Sequence, residues 1–92
     1  MDDWVEKVVT RDLQQCGYIV ERCLDHRKPY YDLMAYQKGS VSLYVDLQDR
    51  SYTPYEMEKF KELIEYTKGR AVKAHVSRFL GFFGLKVQYT IL

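Results

Sequence analysis

Two aspartates fourteen residues apart, Asp32 and Asp46, are the side chains of this sequence best spaced to do chemistry together. Each ends or begins an apolar run. Asp32 lies in Tyr31-Asp32-Leu33-Met34-Ala35, after the turn-prone Arg27-Lys28-Pro29, and Asp46 lies near the end of Val41-Ser42-Leu43-Tyr44-Val45-Asp46-Leu47-Gln48. With Lys38-Gly39 as a hairpin turn, antiparallel pairing brings both acids to the same end of the hairpin. Two carboxylates held side by side offer hard oxygen ligands to a divalent cation such as Mg²⁺, with Mn²⁺ as the alternative. An ion held in this way supports phosphodiester hydrolysis. The alternation over 41–48 is read as turning Asp46 and Gln48 to the buried-leaning face of Val41, Leu43 and Val45, where polar groups need partners. The plain counter-reading is that 13 acidic residues in a small chain will leave some near strand ends as solvated surface groups.

The elements that must position these acids follow from local signals. Asp2 or Asp3 caps a helix to about Gln15, with Val5, Val8, Val9 and Leu13 on one face and Gly17 just past its end. Tyr18 to Leu24 reads as a strand, Asp25 to Tyr30 as a charged loop, and Tyr31 to Gln37 plus Ser40 to Gln48 as the hairpin. Thr53-Pro54 with Glu56 forms a capping box and starts a second helix, whose buried stripe is Met57, Phe60, Leu63 and Ile64 and whose end is Lys68-Gly69. Ala71 to Val76 and Leu85 to Ile91 read as two final strands. The connection from the Asp46 strand through the second helix to the Ala71 strand has the length of a parallel crossover, so a small mixed sheet flanked by helices is expected.

This pattern resembles the PD-(D/E)xK nuclease superfamily and, within it, the archaeal Holliday-junction resolvases. Trp4-Val5-Glu6-Lys7 is similar to the segment that supplies the family's leading glutamate, and Gly17-Tyr18 to the pair that opens its first strand. Tyr31-Asp32 stands at the Pro-Asp position and Asp46-Leu47-Gln48 at Glu-x-Lys, while Tyr55 to Gly69 and Ala71 to Val76 match the crossover helix and the next strand. The resemblance implies an α/β, restriction-endonuclease-like αβββαβ core forming one nuclease-like domain over 1–92. It implies a homodimer acting on branched DNA, with Glu6, Asp32 and Asp46 as metal ligands and Glu6, Asp32, Asp46 and Gln48 as the catalytic set. Two positions depart from the motif. Tyr31 replaces a proline, which matters little. Gln48 replaces the lysine, and an amide orients water but supplies no positive charge to the transition state, a loss worth roughly two to three orders of magnitude in rate. The rival expectation is an inactive paralogue that binds DNA or a repair or replication partner, and a third is a structural subunit without nucleic acid.

The net charge of +1 gives no global field, so DNA affinity has to come from a local patch. Arg22, His26, Arg27 and Lys28 cluster around the loop after the first strand. Arg50 and Arg70 are placed on the same rim, and Tyr30 and Tyr31 are positioned to stack on a base; a solvated loop is the bland alternative. Phe79-Leu80-Gly81-Phe82-Phe83 is similar to part of a sliding-clamp binding motif, although a hairpin end or a dimer face explains it more simply. Cys16 and Cys23 lack metal-ligand spacing and are read as reduced packing residues, with a disulfide as the lesser alternative. No run is long enough for a membrane span and the acidic N-terminus is unlike a signal peptide, so a cytoplasmic protein is expected.

Overall fold

The computed structural model describes residues 3–23, 31–47, 51–78 and 84–92. Helix α1 (Asp3–Gln15) places Val5, Val9 and Leu13 four residues apart on one stripe, against the sheet. It ends where Gly17, at φ 94, turns the chain: the Gly17 amide bonds the Gln14 carbonyl at 3.0 Å and the Tyr18 amide bonds the Leu13 carbonyl at 3.1 Å. These are the two bonds of a Schellman cap, and they deliver Tyr18 onto the core beside Leu13. A side chain at Gly17 would be strained by its φ, while the Gln37 amide, whose Oε1 lies 2.9 Å from the Cβ position, can swing aside.

Five strands follow in spatial order β1 (Ile19–Arg22), β2 (Leu33–Tyr36), β3 (Leu43–Asp46), β4 (Arg70–Arg78) and β5 (Leu85–Ile91). The β3–β4 pair is parallel and the other three pairs are antiparallel. The fold is therefore the restriction-endonuclease-like α/β arrangement expected, with β5 extending an αβββαβ core. The crossover helix α2 (Pro54–Thr67) starts at a complete capping box: Glu56 N donates to Thr53 Oγ1 at 3.2 Å and Thr53 N donates to Glu56 Oε1 at 3.1 Å. At its other end Lys68, not Gly69, takes the left-handed conformation, at φ 60. Gly69 is required for room instead, because a Cβ there would lie 2.6 Å from Tyr44 Cε2 and 2.7 Å from the Ser42 carbonyl oxygen.

Val9, Leu13, Leu33, Ala35, Val45, Leu47, Val72 and Ala74 form the main core between α1 and the sheet. The alternation expected for β3 is corrected here. Asp46 shares a face with Tyr44, opposite Leu43 and Val45, because side chains alternate every residue. Burial still holds, since α2 covers that second face and Asp46 is 4% exposed. The α2 stripe is also narrower than its sequence suggests: Phe60 is buried while Met57 is 39% exposed. Strand ends shift too. β1, β2 and β3 are shorter than expected, whereas β4 runs on to Arg78 because β5 pairs with it as far as Leu85.

Candidate active site

The hairpin between β2 and β3 closes through Gln37–Ser40, with Ser40 N bonded to the Gln37 carbonyl at 3.2 Å and Gly39 at φ 84. Its register pairs Leu33 with Val45, so Asp32 and Asp46 fall at the same open end. The backbone of Asp32 continues the ladder on both sides: its amide bonds the Val45 carbonyl at 2.8 Å, and its carbonyl accepts from Cys23 N at 2.8 Å. At Leu47 the pattern changes, because the amide donates to Asp32 Oδ2 at 2.8 Å. The carboxylate thus takes the next ladder bond, which fixes the side chain at the strand end.

The carboxyls of Asp32 and Asp46 are neighbours at this strand end, close enough to act on each other electrostatically. The Asp32 carboxyl is pushed up to about 6. Burial is the largest cause; the bond from Leu47 opposes it, and the Asp46 contact and the charges of Asp46 and Glu6 add to it. A buried carboxyl beside a half-buried one is a donor set that suits a hard divalent cation. Mg²⁺ commonly takes one or two protein carboxylates and completes its shell with water and phosphate oxygens.

Glu6 reaches the same neighbourhood from α1 but is engaged elsewhere. Arg22 on β1 grips it with two parallel bonds, Nε to Oε1 and Nη2 to Oε2, both 2.7 Å. This fork is the strong bidentate geometry of arginine and carboxylate. It sets Glu6 near the aspartate pair with both its oxygens engaged by Arg22, and among the described residues no three His, Cys, Asp or Glu side chains are grouped to hold a metal. Arg22, a phosphate-contact candidate from sequence, is placed against Glu6 with 57% of its side chain exposed.

Gln48, His26, Arg27, Lys28, Tyr30, Arg50 and Phe79–Phe83 lie outside the described residues. Tyr31 is described, and its ring meets Tyr44 edge-on at 5.0 Å. Arg70 is corrected: it pairs with Leu43 at the start of β4, three residues from the end that carries Asp46, or roughly 10 Å along the strand. Cys16 is exposed and Cys23 partly buried, both as free thiols, so a packing role does not hold for Cys16. Nothing supports the sliding-clamp partner.

Sequence reasoning overlooked β4 as a contributor. Lys73 stands opposite Asp46 in the parallel register, and His75 follows two residues later on the same face. The available signal was the alternation Ala71-Val72-Lys73-Ala74-His75, in which a lysine and a histidine interrupt an otherwise buried strand.

The sequence matches no family model and no curated protein. Among solved structures, the chain is similar to Hjc, a Holliday junction resolvase from the archaeal hyperthermophile Archaeoglobus fulgidus, with a TM-score of 0.65 over 92% of this chain and 74% of that one. Only 14% of residues are identical, so what the two proteins share is the resolvase-like nuclease fold.

Proposed function

We propose that residues 1–92 form a single metal-dependent DNA nuclease domain that hydrolyses phosphodiester bonds in branched DNA as a homodimer. The observation that carries this reading is the adjacent Asp32–Asp46 pair, seated at the joint end of β2 and β3 in a fold shared with a junction resolvase. Asp32 and Asp46 would hold Mg²⁺, or Mn²⁺, which when bound supplies Lewis acidity at the phosphate and a nucleophile at neutral pH. Leu47 N keeps the Asp32 carboxylate oriented. Gln48 orients water, and Arg27, Lys28 and Arg50 with Tyr30 grip the DNA backbone and an unpaired base.

A second reading keeps the fold and the DNA while discarding turnover. It is favoured by Gln48 at the lysine position and by the capture of Glu6 by Arg22. Incubation with labelled four-way junction, duplex and single strand in Mg²⁺, Mn²⁺ and EDTA separates the two. Metal-dependent cuts in the junction are the expected result. Junction-selective binding without cuts establishes the inactive module, and no binding at low salt removes both readings.

A further inference from the structure

Because β3 and β4 run parallel, both carry their C-terminal ends to the same side of the sheet, where open α/β sheets place their ligands. In that register Lys73 is the partner of Asp46, and side chains of paired residues on adjacent strands project to the same face. Asp32, Asp46 and Lys73 therefore stand at one level on three neighbouring strands, with strands about 4.8 Å apart. A lysine stem spans that spacing, so its ammonium reaches an oxygen of a phosphate bound at the two carboxylates.

The environment of Lys73 restricts where its charge can go. The ammonium lies 5.7 Å from the Tyr52 ring centroid, and Tyr52 packs edge-on against the buried Phe60 at 5.4 Å. Ala71, Val72 and Ala74 around it on β4 are all buried. A partly buried cation held over an aromatic face is preorganised, and fixed charges in a water-poor site act strongly on a transition state. The two aspartates and a phosphate all carry negative charge, and Gln48 is neutral.

We propose that Lys73 is a catalytic residue of the Asp32–Asp46 site, whose ammonium contacts the scissile phosphate and provides the positive charge that Gln48 lacks. This rests on the nuclease reading above. In the step it serves, a water oxygen bonds to phosphorus while the bond from phosphorus to the leaving sugar oxygen breaks. The attacking water gives a proton to bulk water and the leaving oxygen takes one from it, so Lys73 stays protonated and acts only as a hydrogen-bond donor to a non-bridging oxygen.

The test compares Lys73→Met and Lys73→Gln, both neutral, with Lys73→Arg, using a labelled four-way DNA junction. In Mg²⁺ the neutral variants should lose about 100-fold in single-turnover cleavage, and Lys73→Arg should recover much of it. In Ca²⁺, followed by fluorescence anisotropy, the parent should bind the junction more tightly than in EDTA, and the neutral variants should lose that gain while melting within about 4 °C of the parent. Parental cleavage with the Ca²⁺ gain intact in a folded neutral variant overturns the proposal, as does unfolding of both neutral variants, which would make Lys73 structural. If the parent itself does not cleave, the nuclease reading fails and the Ca²⁺ readout decides on Lys73 alone. A gain lost in the variants then supports the contact, and a gain absent from the parent or equal in all proteins overturns it.

Discussion

Two acidic regions of the molecule, Glu6 and the Asp32–Asp46 pair, are treated in opposite ways. Glu6 is matched by a guanidinium in ideal bidentate geometry, at 2.7 Å on both oxygens, and its negative charge is locally balanced. Asp32 faces another aspartate instead, and burial with that neighbour pushes its carboxyl up to about 6. The first arrangement is what a stable fold prefers. The second costs stability whenever both acids are ionised, and such unfavourable pairs are retained mainly where a ligand, a proton or a metal relieves them. The pair, not the ion bridge, is therefore the place to look for chemistry.

The strongest way to break this contrast is at the pair itself. Asp32→Ala should lower junction cleavage by roughly 1,000-fold in Mg²⁺ while leaving the far-ultraviolet spectrum unchanged, because it removes a cation ligand and not a core contact. Cleavage at more than a tenth of the parental rate would place the reaction elsewhere. Next in size, Gln48→Lys introduced into the Lys73→Met variant should raise its single-turnover cleavage rate by about 100-fold, because it returns the transition-state charge that variant lacks. An unchanged rate in that folded, metal-binding double variant would show that a charge at position 48 does not reach the phosphate.

A smaller effect tests the proton. The folded chain holds the Asp32 proton up to about pH 6, whereas an unfolded carboxyl releases it near 3.8. The stabilisation from that proton is complete below the unfolded value and is lost as pH rises through the folded one. Asp32→Asn should therefore stabilise the protein above pH 7, by about 1–2 kcal/mol after allowing for solvent screening of a partly exposed group, and its denaturant midpoint should vary less with pH between 4 and 6. An identical pH profile in the two proteins would show that the fold does not hold a proton on Asp32. The smallest effect belongs to the balanced side. A double-mutant cycle on Glu6→Gln and Arg22→Met should give a coupling of about 0.5–1 kcal/mol, as for a bidentate pair with one partner well exposed. A coupling near zero would dissolve the contrast between the two regions.

Much of the fold was legible because its signals are local. The Thr53-Pro54 capping box, the Gly17 cap and the Lys38-Gly39 turn each depend on a few neighbouring residues, and each appears where its chemistry requires. The face of Asp46 was misread by mixing odd and even positions of β3, and the end of β3 was drawn too long because the Leu47 amide bonds the Asp32 side chain instead of strand backbone. The left-handed residue at the end of α2 was unpredictable from Lys68-Gly69, since the glycine answers to the Tyr44 ring from another strand.

For the site, the sequence by itself determined that two aspartates meet at one hairpin end, because a short turn and a period of two leave little choice of register. Tertiary structure alone decided the rest. Only packing of α1 across the sheet sets Glu6 against Arg22, 16 residues away, and only the parallel register formed after α2 crosses over sets Lys73 beside Asp46. Contacts between residues far apart in the chain depend on how whole elements dock, and no local pattern encodes that geometry.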